Sequence, residues 1–321
     1  MTRVLVIYYS QTGQLEKVAR TMLAPLLPPA AANDVEIVWQ CITPLEPFPF
    51  PWRFMSFLDA FPESALLIAP AIHDVAFDPD SHFDLVIIAY QVWFLSPSLP
   101  ITAFMRSSAA RVLKHKPVIT VIGCRNMWLS AQEKMKTLLA QQHARLIDNV
   151  VLVDQGPAWA TFVTTPRWVL TGRRNGFWGI FPPAGISEQD IAAAARFGRA
   201  LRAALPQIKA GAALLTGPLL TGLKAVKVAP SLIAGEKIGN RSFTIWGRLL
   251  RAAGAPGTLG RRLLLLVYLV FLLTIILTVL PVSAGVRALL RAVFPARLDA
   301  EVSRLELPSG SSDHRMQQFL P

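Results

Sequence analysis

Ser10, Gln11, Thr12, Gly13 and Gln14 stand directly after the apolar run 4–7 and two tyrosines, and directly before a helical pattern. Hydroxyls, amides and a glycine at the joint between a buried strand and a helix make an anion site. The backbone N–H groups converge there, and the helix N-terminus favours negative charge. The loop has no Lys, which excludes a Walker phosphate loop, and no Gly-x-Gly-x-x-Gly, which excludes a dinucleotide fingerprint. An uncharged cradle of this kind suits one phosphate monoester.

Two further segments carry chemistry of a matching kind. Residues 90–100 read Tyr-Gln-Val-Trp-Phe-Leu-Ser-Pro-Ser-Leu-Pro, an aromatic stretch with a rigid turn behind it. Gln91, Val92, Trp93 and Phe94 suit the wall of a flat ring. Gly123 permits close approach, and Arg125 and Asn126 offer donors to an electron-rich ring. Tyr90 and Asp154, at strand ends, are the candidates for moving a proton. Trp93 and Trp128 also read simply as core. Cys124 is the one cysteine placed to act as an acyl acceptor, and a buried thiol after a strand is more often inert. There is no Gly-x-Ser-x-Gly elbow, and the five histidines are scattered without metal-ligand spacing.

The elements that position these loops alternate. Apolar runs at 4–8, 35–39, 83–89, 117–122 and 146–153 predict strands; periodic stretches at 15–27, 100–113, 129–142 and 187–205 predict helices, the last capped by Ser187. Five strands alternating with helices predict an α/β doubly wound parallel sheet of order 2-1-3-4-5, with the ligand at the carboxyl ends of the first and third strands. Residues 44–82 and 155–186 interrupt the alternation. They are rich in Pro and aromatics, the second holding Trp159, Trp168 and Trp178 with Arg167, Arg173 and Arg174. Loops of this length are usually functional. They predict an apolar cover over the site or, equally, the face of a homodimer.

The chain of 321 residues divides by charge. Residues 1–206 hold 18 Lys+Arg against 15 Asp+Glu, and residues 207–321 hold 14 against 5. The expected organisation is a catalytic domain over 1–206, a basic amphipathic linker over 207–260, a hydrophobic helical segment over 261–297 and a polar tail over 298–321. Residues 263–280 contain no charge and reach about 27 Å as a helix, near the hydrocarbon thickness of a bilayer. A simple crossing leaves Arg287, Arg291 and Arg297 on the far side, against the positive-inside tendency. A segment broken at Pro281 that re-enters one leaflet keeps every arginine on one side. The bases interleave with Leu, Ala and Gly, which points to anionic lipid rather than nucleic acid. Two cysteines make no disulfide framework and the N-terminus reads as no signal peptide, so the expected location is the cytoplasmic face of the inner membrane.

The loop at 10–14 resembles the FMN-phosphate loop of flavodoxins. The segments VIYYSQTGQL, FPFPWRFMSFLDAFPES, AYQVWFLSPSLPITAF, VITVIGCRNMWLSAQEK, NVVLVDQG and TTPRWVLTG, across about residues 3–190, resemble the dialkylresorcinol-condensing enzyme family of flavodoxin-like proteins. The resemblance implies FMN, with Ser10, Gln11, Thr12, Gly13 and Gln14 on its phosphate and Gln91–Phe94, Gly123, Arg125 and Asn126 at its ring. It also implies a lipid-like substrate, a partner ketosynthase, and an aromatase that oxidises a dialkyl cyclohexane-1,3-dione to a dialkylresorcinol. Removal of two electrons and two protons fits a flavin and needs no strong nucleophile. One departure stands out. Leu15 occupies a position where flavodoxin loops commonly carry a second Thr, which predicts the loss of one hydroxyl contact. The competing readings are a membrane-associated FMN-dependent quinone reductase or electron carrier, a flavin-free scaffold, and a literal condensing enzyme.

Overall fold

The computed structural model describes residues 1–27, 34–211, 215, 217–293 and 295–320, and for 279–293 and 295–297 the backbone alone. The five long strands are β1 (Thr2–Tyr8), β2 (Val35–Cys41), β3 (Leu85–Trp93), β5 (Pro117–Cys124) and β6 (Arg145–Val153). All pair in parallel, in the order β2-β1-β3-β5-β6. This is the flavodoxin-like order expected from the sequence. The short β4 (Ser96–Pro97) folds back antiparallel on the end of β3.

Val4, Leu5, Val6 and Ile7 are wholly buried because helices cover both faces of the sheet, so the strand reads as one apolar run. Its residues still alternate between faces. Val4, Val6 and Tyr8 join a core with α1 (Gln14–Leu23), α7 (Glu188–Ala193) and α8 (Ala195–Ala203). Leu5 and Ile7 join the opposite core with α4 (Leu99–Arg106) and α5 (Leu129–Gln141). In α1, Leu15, Val18, Ala19 and Met22 form the buried face at helical spacing. Ser187 Oγ accepts from the Asp190 N–H at 3.0 Å and caps α7.

Several expected bounds move. Residues 90–93, read as a loop, continue β3, and Trp93 pairs with Ser96. The helix over 100–113 is α4 followed by a separate 3₁₀ turn, Ser108–Leu113. Residues 44–82 contain α2 (Phe54–Asp59) and α3 (Phe61–Leu66), and 155–186 contain α6 (Ala158–Thr171).

The C-terminal third departs most. Residues 207–260 are not a detached linker. After α9 (Leu205–Lys209), Leu215, Leu219, Leu220, Leu223 and Ala225 enter the first core, and Val226, Val228 and Ile233 enter the second. Asp148 draws this segment in: its carboxylate accepts from Leu219 N–H at 2.7 Å, Leu220 N–H at 3.1 Å and Ser309 Oγ–H at 2.7 Å. Three helices follow: α10 (Pro230–Ala252), α11 (Leu259–Val293) and α12 (Pro295–Glu306). Helix α11 continues through position 281, where a break was expected; a proline can bend an apolar helix without ending it. Its stretch Leu259–Thr278 is long and apolar enough to cross a membrane and is 17% buried. The polar tail returns to the sheet, with Leu305 and Ser309 buried.

Candidate functional site

The sheet brings the expected loops to one edge. Gln91 lies in register with Gly123, and Tyr8 lies in register with Ala89, so the segments after β1, β3 and β5 emerge side by side. Gln11 N–H points to Gln91 Oε1 at 3.4 Å and joins the first two. This edge contains the point where the winding reverses, the place where open α/β sheets bind ligands.

Gly13 opens α1 with φ +78°, a left-handed conformation, and no atom lies within 4 Å of where its Cβ would stand. The loop is thereby turned outward. Ser10 Oγ accepts from Glu16 N–H at 3.2 Å, and Thr12 Oγ1 from Gln14 N–H at 3.4 Å; both hydroxyl protons stay available to a ligand. The N–H groups of Thr12, Gly13 and Leu15 have no acceptor among the described residues. Two hydroxyl donors and three free N–H groups at a helix start form an anion cradle.

Two members of the expected phosphate set act differently. The Gln14 side chain is committed to the backbone of Ile186, accepting from its N–H at 3.0 Å and donating to its carbonyl at 3.1 Å. Gln11 Nε2 donates to the Pro49 carbonyl at 3.0 Å, tying the loop to the 44–82 insertion. Leu15 is 2% exposed and points inward rather than at the cradle. A Cβ on Gly123 would meet its Cδ1 at 3.1 Å, so the space left by Gly123 is filled by Leu15 rather than reserved for a ring.

Trp93 does line this edge. It meets Tyr9 edge-on at 5.8 Å, and Phe48 and Trp52 from the insertion at 5.0 and 5.5 Å between centroids. Burial pushes the Tyr9 phenol up to about 12. Trp52 N–H donates to the Val169 carbonyl at 2.8 Å, so the two insertions join above the site. Gly185, φ +86°, packs against Gln14 and Trp168 so closely that a Cβ would stand 2.7 Å from each. Phe94 turns away. It packs against Phe57 and Phe61, on the side of α11, and Val92 packs into the second core.

Arg125 and Asn126 are left with unmet bonding capacity. The Arg125 guanidinium lies 4.1 Å over the Phe162 ring, with no hydrogen-bond acceptor among the described residues. Burial lowers its pKa. Asn126 Oδ1 is buried and has no donor. Each such group costs free energy unless something supplies its partner.

Neither proton-transfer candidate fits that role. Tyr90 is fully buried, donates to Gln132 Oε1 at 2.7 Å, and burial raises its pKa well above the ordinary value. Asp154 accepts from Gly156 N–H at 2.8 Å and Gly185 N–H at 2.5 Å, and so organises the 155–186 segment. Burial raises its carboxyl. Burial likewise raises the Cys124 thiol far above neutrality, which keeps it from being a thiolate.

The residues that sequence reading left unnamed are Phe48, Trp52 and Phe162. Aromatic density in the two insertions signalled them; their long-range contacts with Trp93 and Arg125 could not be read from spacing.

No family model matches the chain, and no curated protein matches it. Solved structures with a similar fold include a flavoprotein in complex with FMN from Lactobacillus acidophilus NCFM, at 15% identity over 47% of this chain and 93% of that one, TM-score 0.37. A WrbA-like flavodoxin from Agrobacterium tumefaciens is 13% identical over 64% of this chain and 99% of that one, TM-score 0.35. Likeness at this level concerns the fold alone.

Proposed function

We propose that the protein is an FMN-dependent oxidoreductase acting at a lipid surface, and that it oxidises an alkyl-bearing cyclohexane-1,3-dione to the corresponding resorcinol. One observation carries the flavin reading: Arg125 without an acceptor and Asn126 Oδ1 without a donor, beside an anion cradle of free N–H and hydroxyl groups. A phosphate monoester attached to a flat ring with N–H donors answers all of these needs together. The residues present therefore fit FMN.

When bound, FMN supplies an acceptor for two electrons. Ser10, Thr12, Gly13 and Leu15 would hold its phosphate through hydroxyls and backbone N–H groups. Asn126 Oδ1 would offer an acceptor to its ring, and the Arg125 guanidinium would offer a positive charge that favours an anionic reduced ring. Trp93, Trp52 and Phe48 form an apolar wall that excludes water and receives a ring with alkyl chains.

The resemblance across residues 3–190 supports the dione as substrate. The reaction removes two electrons and two protons, one proton from an acidic carbon beside a carbonyl. The inert Cys124 disfavours acyl transfer. The exposed apolar helix Leu259–Thr278 supports a lipid surface as the place of action, because a dialkyl substrate partitions there.

The test is an anaerobic absorbance spectrum of detergent-purified protein reconstituted with FMN, before and after addition of a dialkyl cyclohexane-1,3-dione. Bleaching of the oxidised-flavin band with formation of the resorcinol supports the reading. Bound flavin that the dione leaves oxidised shifts it to quinone reduction or electron carriage. Failure to bind flavin leaves a scaffold or a condensing enzyme.

A further inference from the structure

Helix α11 has 35 residues and is about 52 Å long, more than enough to cross a bilayer. Its two ends, however, are bound to the same domain. At the start, Arg261 is wholly buried. It donates to Glu63 Oε1 at 2.9 Å, to Glu63 Oε2 at 2.5 Å and to the Asp59 carbonyl at 2.6 Å. Two turns on, Tyr268 stacks on Phe61 at 4.7 Å with 7° between the rings. At the end, α12 begins two residues after α11 closes. Leu298, Val302 and Leu305 of α12 pack into the second core, Glu301 pairs with Lys237, and Arg304 lies 3.4 Å from Glu133. Ser309 then bonds Asp148 and Asn149 of the edge strand β6.

A chain that leaves a domain and returns to it crosses a membrane an even number of times. One uninterrupted helix crosses once or not at all. The count for α11 is therefore zero.

The outward face is nonetheless apolar. Leu263, Leu266, Val267, Val270, Leu273 and Leu277 form one stripe at helical spacing and are 43 to 73% exposed. Arg261, Leu265 and Tyr268 occupy the opposite, domain-facing side. A continuous exposed apolar stripe of this size marks an interaction surface. Charge selects its partner: Arg262 beside the stripe, and Arg241 and Arg248 on α10, are exposed and have no ion pair among the described residues. Exposed cations on the stripe's own helix and on the helix packed against it suit the headgroup boundary of an anionic leaflet.

We infer that α11 lies in the plane of one anionic leaflet, its outward stripe bedded in the lipid, with the whole described chain on a single side of the membrane. The inference rests on the lipid-surface reading above and replaces a span with a one-sided anchor. It also sets the α2–α3 insertion, which carries Trp52 to the candidate site, directly against the membrane-facing helix.

The test uses the full chain with Cys41→Ser and Cys124→Ala, carrying either Lys114→Cys on the domain or Ser303→Cys on α12, expressed in bacterial cells. Both added cysteines are expected in the membrane fraction, to react with an impermeant maleimide in inverted vesicles, and to be silent in intact spheroplasts. Labelling of Ser303→Cys in spheroplasts while Lys114→Cys stays silent overturns the one-sided anchor and restores a span. Purified protein is also expected to float with sealed vesicles of phosphatidylcholine and phosphatidylglycerol. The double variant Leu266→Glu, Val270→Glu should lower that partition at least tenfold while keeping the parent's circular dichroism spectrum. A fully soluble parent that fails to float, for example as a dimer covering the stripe, overturns the lipid reading itself.

Discussion

The Leu15 side chain lies under Gly123, its Cδ1 3.1 Å from where a Cβ would stand. The position that suggested a missing phosphate hydroxyl is thus a core position, and its change to threonine does not restore a ligand contact. Leu15→Thr buries a hydroxyl in the first core and leaves a void. The expected cost is about 2–3 kcal/mol of stability by denaturant unfolding, with no tightening of FMN in a fluorescence titration. Tighter binding would show that the helix start can turn this side chain toward the cradle.

Asn126→Ala should move two measurements in opposite directions. In the unliganded fold Oδ1 is a buried acceptor without a donor, so its removal should stabilise the apoprotein, by up to about 1 kcal/mol. If the same oxygen meets a ring N–H, FMN affinity should fall about tenfold. Equal thermal shifts with and without FMN would assign the residue to the fold alone.

The fold was legible because its signals are local. The buried run at 4–7, the apolar face Leu15, Val18, Ala19 and Met22, and the Ser187 cap each lie within one element. The polar strand–helix turn ending at Gly13 was legible for the same reason. What could not be read was long-range. Gln14 looks like a ligand until Ile186 is seen beside it, and Tyr90 looks like a strand-end base until Gln132 takes its hydroxyl. The tail misled through composition. Charge suggested a linker, whereas Asp148, buried 71 residues before Leu219 in the chain, draws Leu219 and Leu220 onto the sheet.

Tyr90→Phe should separate structure from chemistry. The hydroxyl belongs to a buried network with Gln132 and Thr120. Its loss should cost about 1–2 kcal/mol of stability and leave kcat for dione oxidation unchanged. A fall in kcat with its pH profile displaced would return Tyr90 to the reaction.

Cys124→Ala should leave resorcinol formation unchanged, because burial keeps the thiol protonated at neutral pH. In the native protein at pH 8, iodoacetamide should modify the exposed Cys41 before Cys124, as read by peptide mass spectrometry. Loss of product in the variant, with flavin still bound, would favour the condensing reading.

Asp148 gives the chain a pH dependence of unusual sign. Burial raises its carboxyl from an ordinary 3.8 to about 6, against the three hydrogen bonds that oppose the shift. The folded state therefore holds a proton that the unfolded state releases. This contribution to stability is complete below about pH 4 and is lost as pH rises through about 6. Its size is about 3 kcal/mol for a group with no exposed surface. Asp148→Asn does not titrate. Urea unfolding in mild detergent should show the variant gaining on the parent by about that amount between pH 4 and pH 7. A constant difference across the range would mean that the Leu219, Leu220 and Ser309 donors hold the carboxylate at its ordinary pKa, and that the charge itself secures the tail.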